Sequence, residues 1–248
     1  NALVVLSILL AFIVGYFVLR VYLGETYYAR AIAVANTQDV QKIDSFDKAM
    51  RRAIYWDPYE KNYYTTYISV MFAAATQEAK KTKPNMTKYQ KWVREAVNNG
   101  AFVAKKYSDD ADLLARMGDI YSQLIFSVSG ADKFALESYK KAIKIDPTNP
   151  VLYTNLGIAQ LKKIALDEMQ PKGEEGAFSN QPSQQKAKTG EEERQALLRE
   201  AISNFQKSIE LKADYLPAHY NLAQAYEKEN KPDEALKELD LALAINSN

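Results

Sequence analysis

The stretch AIKIDPTNPVLYTNLGIAQL, residues 142–161, ends one helix and begins another. Asp146-Pro147 interrupts the first helix, because proline lacks a backbone N–H and disfavours helical geometry in the residue before it. After Pro150 a second helix contains the pair Leu156-Gly157, a large residue beside one without a side chain. If this pattern recurs along the chain, the stretch belongs to a repeated helical unit.

The pair of a large and a small residue does recur. Met117-Gly118 is followed three residues later by Tyr121, and Leu222-Ala223 is followed in the same way by Tyr226. Second helices with small and bulky residues at steps of four and three accompany these pairs, so those residues share one helical face. The residues are Ala135, Tyr139 and Ala142; Ala201, Phe205 and Ser208; and Ala235, Leu239 and Ala242. Small residues allow two antiparallel helices to approach closely, and the large one fills the remaining gap.

This pattern resembles the tetratricopeptide repeat, a helix-turn-helix unit of about 34 residues. The best copy is 216–248, although His219 stands where the family has tryptophan and Ser247 where it has proline. The copy that includes Asp112 carries extra residues in its turn, and the copy that begins at Pro150 has a long insert before its second helix. The resemblance implies an all-α fold, an α-solenoid of stacked helix-turn-helix hairpins.

Two degenerate copies are predicted in the first half of the chain. Residues 29–38 would pair with 48–58, and 62–79 with 88–107. The resulting organisation is a transmembrane helix and interfacial segment over 1–24, two degenerate hairpins over 25–110, and three repeats over 111–248 with a low-complexity insert at 170–194. The predicted packing face of the second degenerate hairpin consists of Tyr64, Tyr67, Ile68, Met71, Ala96, Gly100 and Val103.

Residues 2–19 contain no charged side chain and are rich in branched aliphatics. A run of this length crosses the hydrocarbon core of a bilayer as a helix, which predicts a single-pass membrane protein. Tyrosines suited to the membrane–water interface cluster beyond the run, at Tyr16, Tyr22, Tyr27 and Tyr28. The alternatives are a buried core helix or a signal peptide, which would need a basic start and a small-residue cleavage site. Arg20 and Arg30 lie on one side of the run only, so the charges assign no orientation.

The composition excludes several kinds of chemistry. The net charge of +1 gives no general attraction to nucleic acid. The chain has no cysteine and one histidine, so thiolate chemistry and histidine-rich metal sites are excluded. The acidic runs at 109–112 and 191–194 are typical of helix starts, where carboxylates complement the helix dipole. The sequence therefore predicts no cofactor, no metal and no enzymatic activity in this chain.

The insert at 170–194 is rich in Gly, Pro, Gln, Ser and charged residues, and Phe178 is its one aromatic residue. Such a composition cannot bury enough apolar surface to fold alone. Two interpretations remain open, a tolerated disordered loop and a docking or regulatory segment around Phe178.

Tetratricopeptide arrays form a concave face lined by the first helix of each repeat. In the family, the residue before the large–small pair often points into this groove. The resemblance therefore implies a protein or peptide ligand at Arg116, Asn155 and Asn221, with Lys162, Gln224 and Lys228 as neighbours on the same helices. An asparagine there can hold a peptide amide with both a donor and an acceptor. The alternative is that these asparagines are consensus residues without a ligand.

Three functional hypotheses follow. The first is a membrane-anchored scaffold or adaptor that recruits other proteins. The second rests on the direct run from Leu19 into the first repeat and on a first residue, Asn1, that is not methionine. This arrangement resembles bacterial O-antigen ligase and polymerase-type membrane proteins, in which catalysis would belong to an upstream part. The third is self-association through the C-terminal repeat, at Leu236 and Leu243, because no polar capping helix follows Ala244.

Overall fold

The chain is helical throughout the residues whose structure is described. The computed structural model describes residues 2–169 and 183–246, with the backbone alone for 183–189. These ranges contain ten α-helices, one short 3₁₀ helix at Val40–Lys42, and no strand. The α-helices are α1 Ala2–Ala35, α2 Ile43–Trp56, α3 Lys61–Ala79, α4 Met86–Lys106, α5 Ala111–Gln123, α6 Ala131–Ile145, α7 Pro150–Met169, α8 Ser183–Leu211, α9 Leu216–Lys228 and α10 Pro232–Asn246. The predicted all-α fold is confirmed.

Prolines separate the helices as the opening stretch predicts. α6 ends before Asp146, whose backbone N–H donates to the carbonyl of Ala142 at 2.9 Å, and Pro147 follows directly. α7 begins at Pro150 and α10 at Pro232. Proline suits the first helical turn, because the N–H that it lacks would have no partner there.

The acidic run at 109–112 opens a helix, as predicted. The carboxylate of Asp110 caps α5 by accepting a hydrogen bond from the Leu113 backbone N–H at 2.9 Å. Asp112 lies in the first turn, where a negative charge complements the helix dipole. The second acidic run does not open a helix. α8 begins at Ser183 and carries 191–194 in its interior, so that prediction was wrong.

α8 begins inside the low-complexity insert that was predicted at 170–194. Residues 183–194 are helical, and Phe178 lies outside the described residues, as does the docking segment suggested around it. Gln, Lys, Glu and Ala are good helix formers, although they produce no apolar periodicity. Once the apolar part of a helix is held by packing, each further turn costs little, because nucleation is the expensive step.

The helices form two compact units, Asn1–Lys106 and Tyr107–Asn248, called unit 1 and unit 2 below. Unit 1 consists of the antiparallel hairpins α1–α2 and α3–α4. The packing residues predicted for the second hairpin are buried, and Trp92 joins them. Tyr67 shows how tyrosines serve this core, since its ring is buried while its hydroxyl donates to Asp47 at 2.5 Å.

The N-terminal helix α1 has two different parts. Residues 2–19 project from unit 1 with their apolar side chains exposed, and α1 is long and apolar enough to cross a membrane. From Gly24 onwards the same helix packs against α2 and α3, and the ring of Tyr28 stacks on Tyr63 at 4.7 Å. The boundary predicted at residue 24 therefore lies inside one continuous helix, and Tyr28 belongs to the folded unit.

Unit 2 consists of the hairpins α5–α6, α7–α8 and α9–α10. A Cβ atom added at Gly118 would lie 2.6 Å from the ring of Tyr139, and one added at Gly157 would lie 2.6 Å from the ring of Phe205. Each glycine therefore receives the bulky residue of the second helix in its own hairpin. The predicted close approach of the two helices is confirmed in both hairpins.

Candidate binding face

The first helices of unit 2 lie side by side. α5 contacts α7, and α7 contacts α9, so the three helices form one continuous surface, called the first-helix face below. The six residues predicted to bind a ligand are all on these helices. Three are exposed, namely Arg116, Gln224 and Lys228, and three are half-buried, namely Asn155, Lys162 and Asn221.

Asn155 connects two neighbouring hairpins. Its side-chain amide donates to the carboxylate of Asp119 on α5 at 3.1 Å. The same carboxylate oxygen accepts a hydrogen bond from the hydroxyl of Tyr139 on α6 at 2.6 Å. Burial, together with the hydrogen bond to Asp119, raises the pKa of Tyr139 well above its usual value, so this hydroxyl stays protonated and remains a donor. In this structure the amide nitrogen of Asn155 thus holds α7 against α5.

Lys162 and Lys228 also join adjacent first helices. The ammonium of Lys162 donates to the backbone carbonyl of Ser122 at 3.1 Å and to its hydroxyl at 3.2 Å. Burial lowers the pKa of Lys162, and the nearby carboxylate of Asp119 partly offsets this effect. Lys228 on α9 pairs with Glu168 on α7 at 3.2 Å. These two lysines serve as links between hairpins.

The remaining three predicted residues differ in how much they are engaged. Asn221 donates to the backbone carbonyl of Pro217 in its own helix at 2.7 Å. Arg116 and Gln224 have exposed side chains that make no hydrogen bond or ion pair with any residue in 2–169 or 190–246. Arg116 and Gln224 can therefore meet a ligand without first breaking an internal contact.

His219 lies in the core of the last hairpin. The side chain is 4% exposed, with one ring nitrogen 2.6 Å from a carboxylate oxygen of Glu238 and the other 2.9 Å from the carbonyl of Ala213. It therefore links α9 to α10 and to the turn between α8 and α9. The repeat pattern has a tryptophan at this position, and His219 fills it with another large, buried side chain.

A cleft between α7, α8 and α9 was not predicted. Its volume is about 380 Å³, and the buried side chains of Ile164 and Leu198 form part of its lining. Charged residues of both signs surround it, including Glu168, Glu191, Arg194, Arg199, Lys228 and Glu229. This cleft could not be predicted from the sequence, because it depends on how α7, α8 and α9 pack together, and two of its lining residues, Glu191 and Arg194, lie in the predicted insert.

The structure offers no basis for a metal site in the described ranges, where no three His, Asp or Glu side chains converge. The acidic residue Asp119 is instead shared between Tyr139 and Asn155, and Glu168 is paired with Lys228. Most of the hydrogen-bonding side chains on the first-helix face are therefore engaged within the chain.

Comparison with protein families matches two segments of unit 2. A model described as TPR repeat matches residues 129–163, and a model described as tetratricopeptide repeat matches 195–248. The chain contains tetratricopeptide repeats. The first TPR match covers α6 and most of α7, including Ala135, Tyr139 and Gly157, and the second covers the later part of α8 with α9 and α10, including Ala201, Phe205 and Ala223.

Solved TPR structures share this fold. The chain is 14% identical to a crystal structure of MamA protein, with 90% of this chain and 92% of that chain covered and a TM-score of 0.51. It is 13% identical to MamA 41-end from Desulfovibrio magneticus RS-1, with coverage of 90% and 95% and a TM-score of 0.52. Such similarity shows a common fold. No curated protein matches the chain by sequence.

Proposed function

We propose that this chain is a membrane-anchored TPR scaffold, which holds a protein or peptide on the first-helix face and performs no catalysis itself. The observation that carries the proposal is the continuity of α1 (Ala2–Ala35). One uninterrupted helix joins an exposed apolar segment to a packed hairpin. Because an exposed helix of this composition is costly in water, a bilayer is the solvent that suits it.

The exposed apolar residues distinguish this helix from the core helix of a globular protein. Leu3, Phe12 and Val18 are 81%, 73% and 63% exposed, although they lie on different sides of the helix. A helix that is apolar all round and buried by no protein neighbour is typical of a membrane span. The anchor would be residues 2–19, with one crossing in this chain.

The first-helix face supplies the binding function in this proposal. TPR arrays bind extended segments along a concave surface, and here that surface has two exposed and unengaged side chains, Arg116 and Gln224. Asn155, Lys162 and Lys228 keep the hairpins in register, so the face is preorganised. A partner would contact Arg116 and Gln224 first. It could then replace the internal hydrogen-bond partners of Asn155, Lys162 and Lys228.

A photo-cross-linking experiment tests this face. We expect a photoreactive amino acid at Arg116 or Gln224 to yield a discrete cross-linked product in native membranes, at several times the amount formed from Lys140 or Lys144. The control positions are exposed residues on the second helix α6. All four substitutions replace exposed side chains, so none should unfold the protein. Equal products from both pairs of positions would show that the first-helix face is not the binding site.

A second candidate is the C-terminal TPR tail of a multi-pass glycan ligase or polymerase-type membrane enzyme. The observation that favours it is again the direct passage of α1 from an apolar segment into a hairpin. The size of the native polypeptide separates the two proposals. A native mass near 28.0 kDa supports the scaffold, while a larger parent with peptides that map upstream of Asn1 supports the tail.

The last hairpin favours self-association as an additional property of the scaffold. Leu236 and Leu243 on α10 are 59% and 67% exposed and lie seven residues apart, hence on one side of the helix. We expect a concentration-dependent dimer of the detergent-solubilised chain that is lost in the Leu236→Glu, Leu243→Glu variant. Multi-angle light scattering would measure it, with Lys237→Glu as the control. A monomer at every concentration would contradict this prediction.

A further inference from the structure

A cluster of exposed aromatic side chains lies at the end of unit 1 from which residues 2–19 project. Tyr55, in the last turn of α2, and Tyr59, in the turn between α2 and α3, are 72% and 74% exposed. Tyr16 and Tyr22 on α1 are 53% and 66% exposed. Phe102, near the end of α4, is 47% exposed. Single exposed apolar residues are common, but a group of them at one end of a unit calls for an explanation.

Arg20 brings the α2–α3 turn to the level at which the apolar run ends. Its guanidinium donates to the backbone carbonyls of Trp56 and Tyr55, at 2.9 and 3.3 Å. These carbonyls lie in the last turn of α2, where no following helical N–H groups are available as hydrogen-bond donors. Next to this contact, a Cβ atom added at Gly24 would lie 3.0 Å from Asp57, so the turn packs directly on α1.

The end of α4 lies at the same level. The ammonium of Lys106 donates to the carbonyl of Pro58 and lies 4.6 Å from the ring centre of Tyr59. Phe102 packs against Tyr64 with ring centres 5.4 Å apart. α2 and α4 therefore both end at the side of unit 1 where the apolar segment leaves it, and α4 ends with two basic residues, Lys105 and Lys106.

The depth of this cluster relative to a bilayer follows from the helix geometry. Residues 2–19 form a helical segment of roughly 27 Å at about 1.5 Å per residue, close to the roughly 30 Å of the hydrocarbon core. Arg20 then lies at the boundary between hydrocarbon and headgroups. The α2–α3 turn, which Arg20 holds, lies at the same depth.

We propose that the α2–α3 turn and the end of α4 rest on the membrane surface, with Tyr55, Tyr59 and Phe102 among the lipid headgroups and with Arg20, Lys105 and Lys106 facing the lipid phosphates. The partner is a lipid bilayer, and this inference rests on the proposed anchoring of α1. Tyrosine and tryptophan are favoured at this depth because one part of the ring is apolar and another can remain hydrated. Basic side chains there gain from the phosphates and from anionic lipids.

The consequence is that unit 1 has a defined orientation on the bilayer. A single spanning helix leaves a domain free to tilt, whereas a second contact from the α2–α3 turn restrains it. α1 and α3 run away from this surface and α2 and α4 return to it, so the α3–α4 turn lies at the opposite end of its hairpin. α3 is 19 residues long, which places that turn roughly 28 Å away at about 1.5 Å per residue.

Site-directed spin labelling tests the contact in the 248-residue chain. The sequence has no cysteine, so each substitution introduces one label only. The variants are Phe12→Cys in the apolar segment, Tyr59→Cys in the cluster and Met86→Cys near the α3–α4 turn, all at exposed positions. Tyr55→Cys gives a second reading of the cluster. Each is reconstituted into phosphatidylcholine vesicles that contain phosphatidylglycerol, and collision rates with oxygen and with a water-soluble nickel chelate are measured.

We expect the oxygen-to-nickel collision ratio to be highest at Phe12, lowest at Met86, and intermediate at Tyr59 and Tyr55, at several times the Met86 value. A high ratio at Phe12 with Tyr59 and Tyr55 equal to Met86 would overturn the surface contact while leaving the anchoring intact. Low collision rates with both reagents at Tyr59 and Tyr55 would indicate burial by protein and would also overturn it. A ratio at Phe12 equal to that of Met86 would overturn the anchoring and this inference together.

Discussion

Replacing Phe205 with alanine is expected to lower the free energy of unfolding of unit 2 by about 3–5 kcal/mol, the range typical of a fully buried phenylalanine. Phe205 is 0% exposed and lies in a core cluster formed by α7, α8 and α9. Neighbours in this cluster include Leu161, Ile164, Leu198, Ala201 and Leu222. The loss would combine the transfer of apolar surface to water with the cavity left where the ring meets Gly157. Urea unfolding of the detergent-solubilised chain, followed by its helical circular dichroism signal, measures the change.

The matched control is Phe126→Ala. Phe126 is 50% exposed in the turn between α5 and α6, so its loss should change the unfolding free energy by no more than about 0.5 kcal/mol. Equal effects of the two substitutions would contradict the packing described for the α7–α8 hairpin.

Gly157 provides the second half of this test. In a helix, alanine is normally favoured over glycine by about 1 kcal/mol. We therefore expect Gly190→Ala to raise the free energy of unfolding, because a Cβ atom added at Gly190 meets nothing within 4 Å. At Gly157 the added Cβ would lie 2.6 Å from the Phe205 ring. We therefore expect Gly157→Ala to lower the free energy of unfolding by about 1–3 kcal/mol. When Phe205 is replaced by leucine, the loss of unfolding free energy caused by Gly157→Ala should be smaller. The two residues contact each other, so the effects of their substitutions are not additive.

The pairing of Gly157 with Phe205 illustrates what the sequence predicted well. Large and small residues at steps of three and four determine which faces of two helices meet, and this information is local. The same pattern located seven buried residues of α3 and α4 in unit 1, where the resemblance to the repeat is weaker, although it missed Tyr63, Phe72 and Trp92. Helix ends marked by proline and by the Asp110 cap were also predictable, since each depends on a few neighbouring residues.

The start of α8 and the polar links between hairpins were not predictable in this way. Residues 183–194 have no apolar periodicity, so their helix depends on the packed part of α8 that follows them. The hydrogen bond from Asn155 to Asp119 depends on how α7 lies against α5, which is set by the packing of whole hairpins. The sequence predicts a ligand-binding role for Asn155, with a consensus residue without a ligand as the alternative, whereas the structure shows its amide nitrogen engaged within the array.

This difference changes which substitutions report on binding. Asn155→Ala would remove a contact between hairpins, so a loss of binding in that variant could arise from a change in the array itself. Arg116 and Gln224 avoid this ambiguity because their side chains make no contact of that kind in the described ranges. The cross-linking test uses these two positions for that reason.

Substituting arginine for both Leu10 and Val14 is expected to abolish stable insertion of the chain into membranes. Both side chains are exposed, at 60% and 53%, near the middle of the apolar segment. An arginine at the centre of a membrane helix costs about 2.5–3.5 kcal/mol on insertion scales, whereas each aliphatic residue contributes only about 0.3–0.6 kcal/mol in the favourable direction. Two such changes, about 5–7 kcal/mol together, outweigh much of what the remaining aliphatic residues supply.

The measurement is the fraction of the 248-residue chain that stays in the membrane after alkaline carbonate extraction. The control is Met86→Arg with Val151→Arg, which adds the same charge at exposed positions outside α1, 52% and 40% exposed. We expect the control to remain membrane-bound and the Leu10→Arg, Val14→Arg variant to be extracted. Mass spectrometry of the N-terminal peptide separates an anchor from a signal sequence, because an anchor is retained in the membrane-bound chain. Extraction of the unmodified chain, or removal of residues 2–19 from it, would contradict the anchoring on which the proposed scaffold depends.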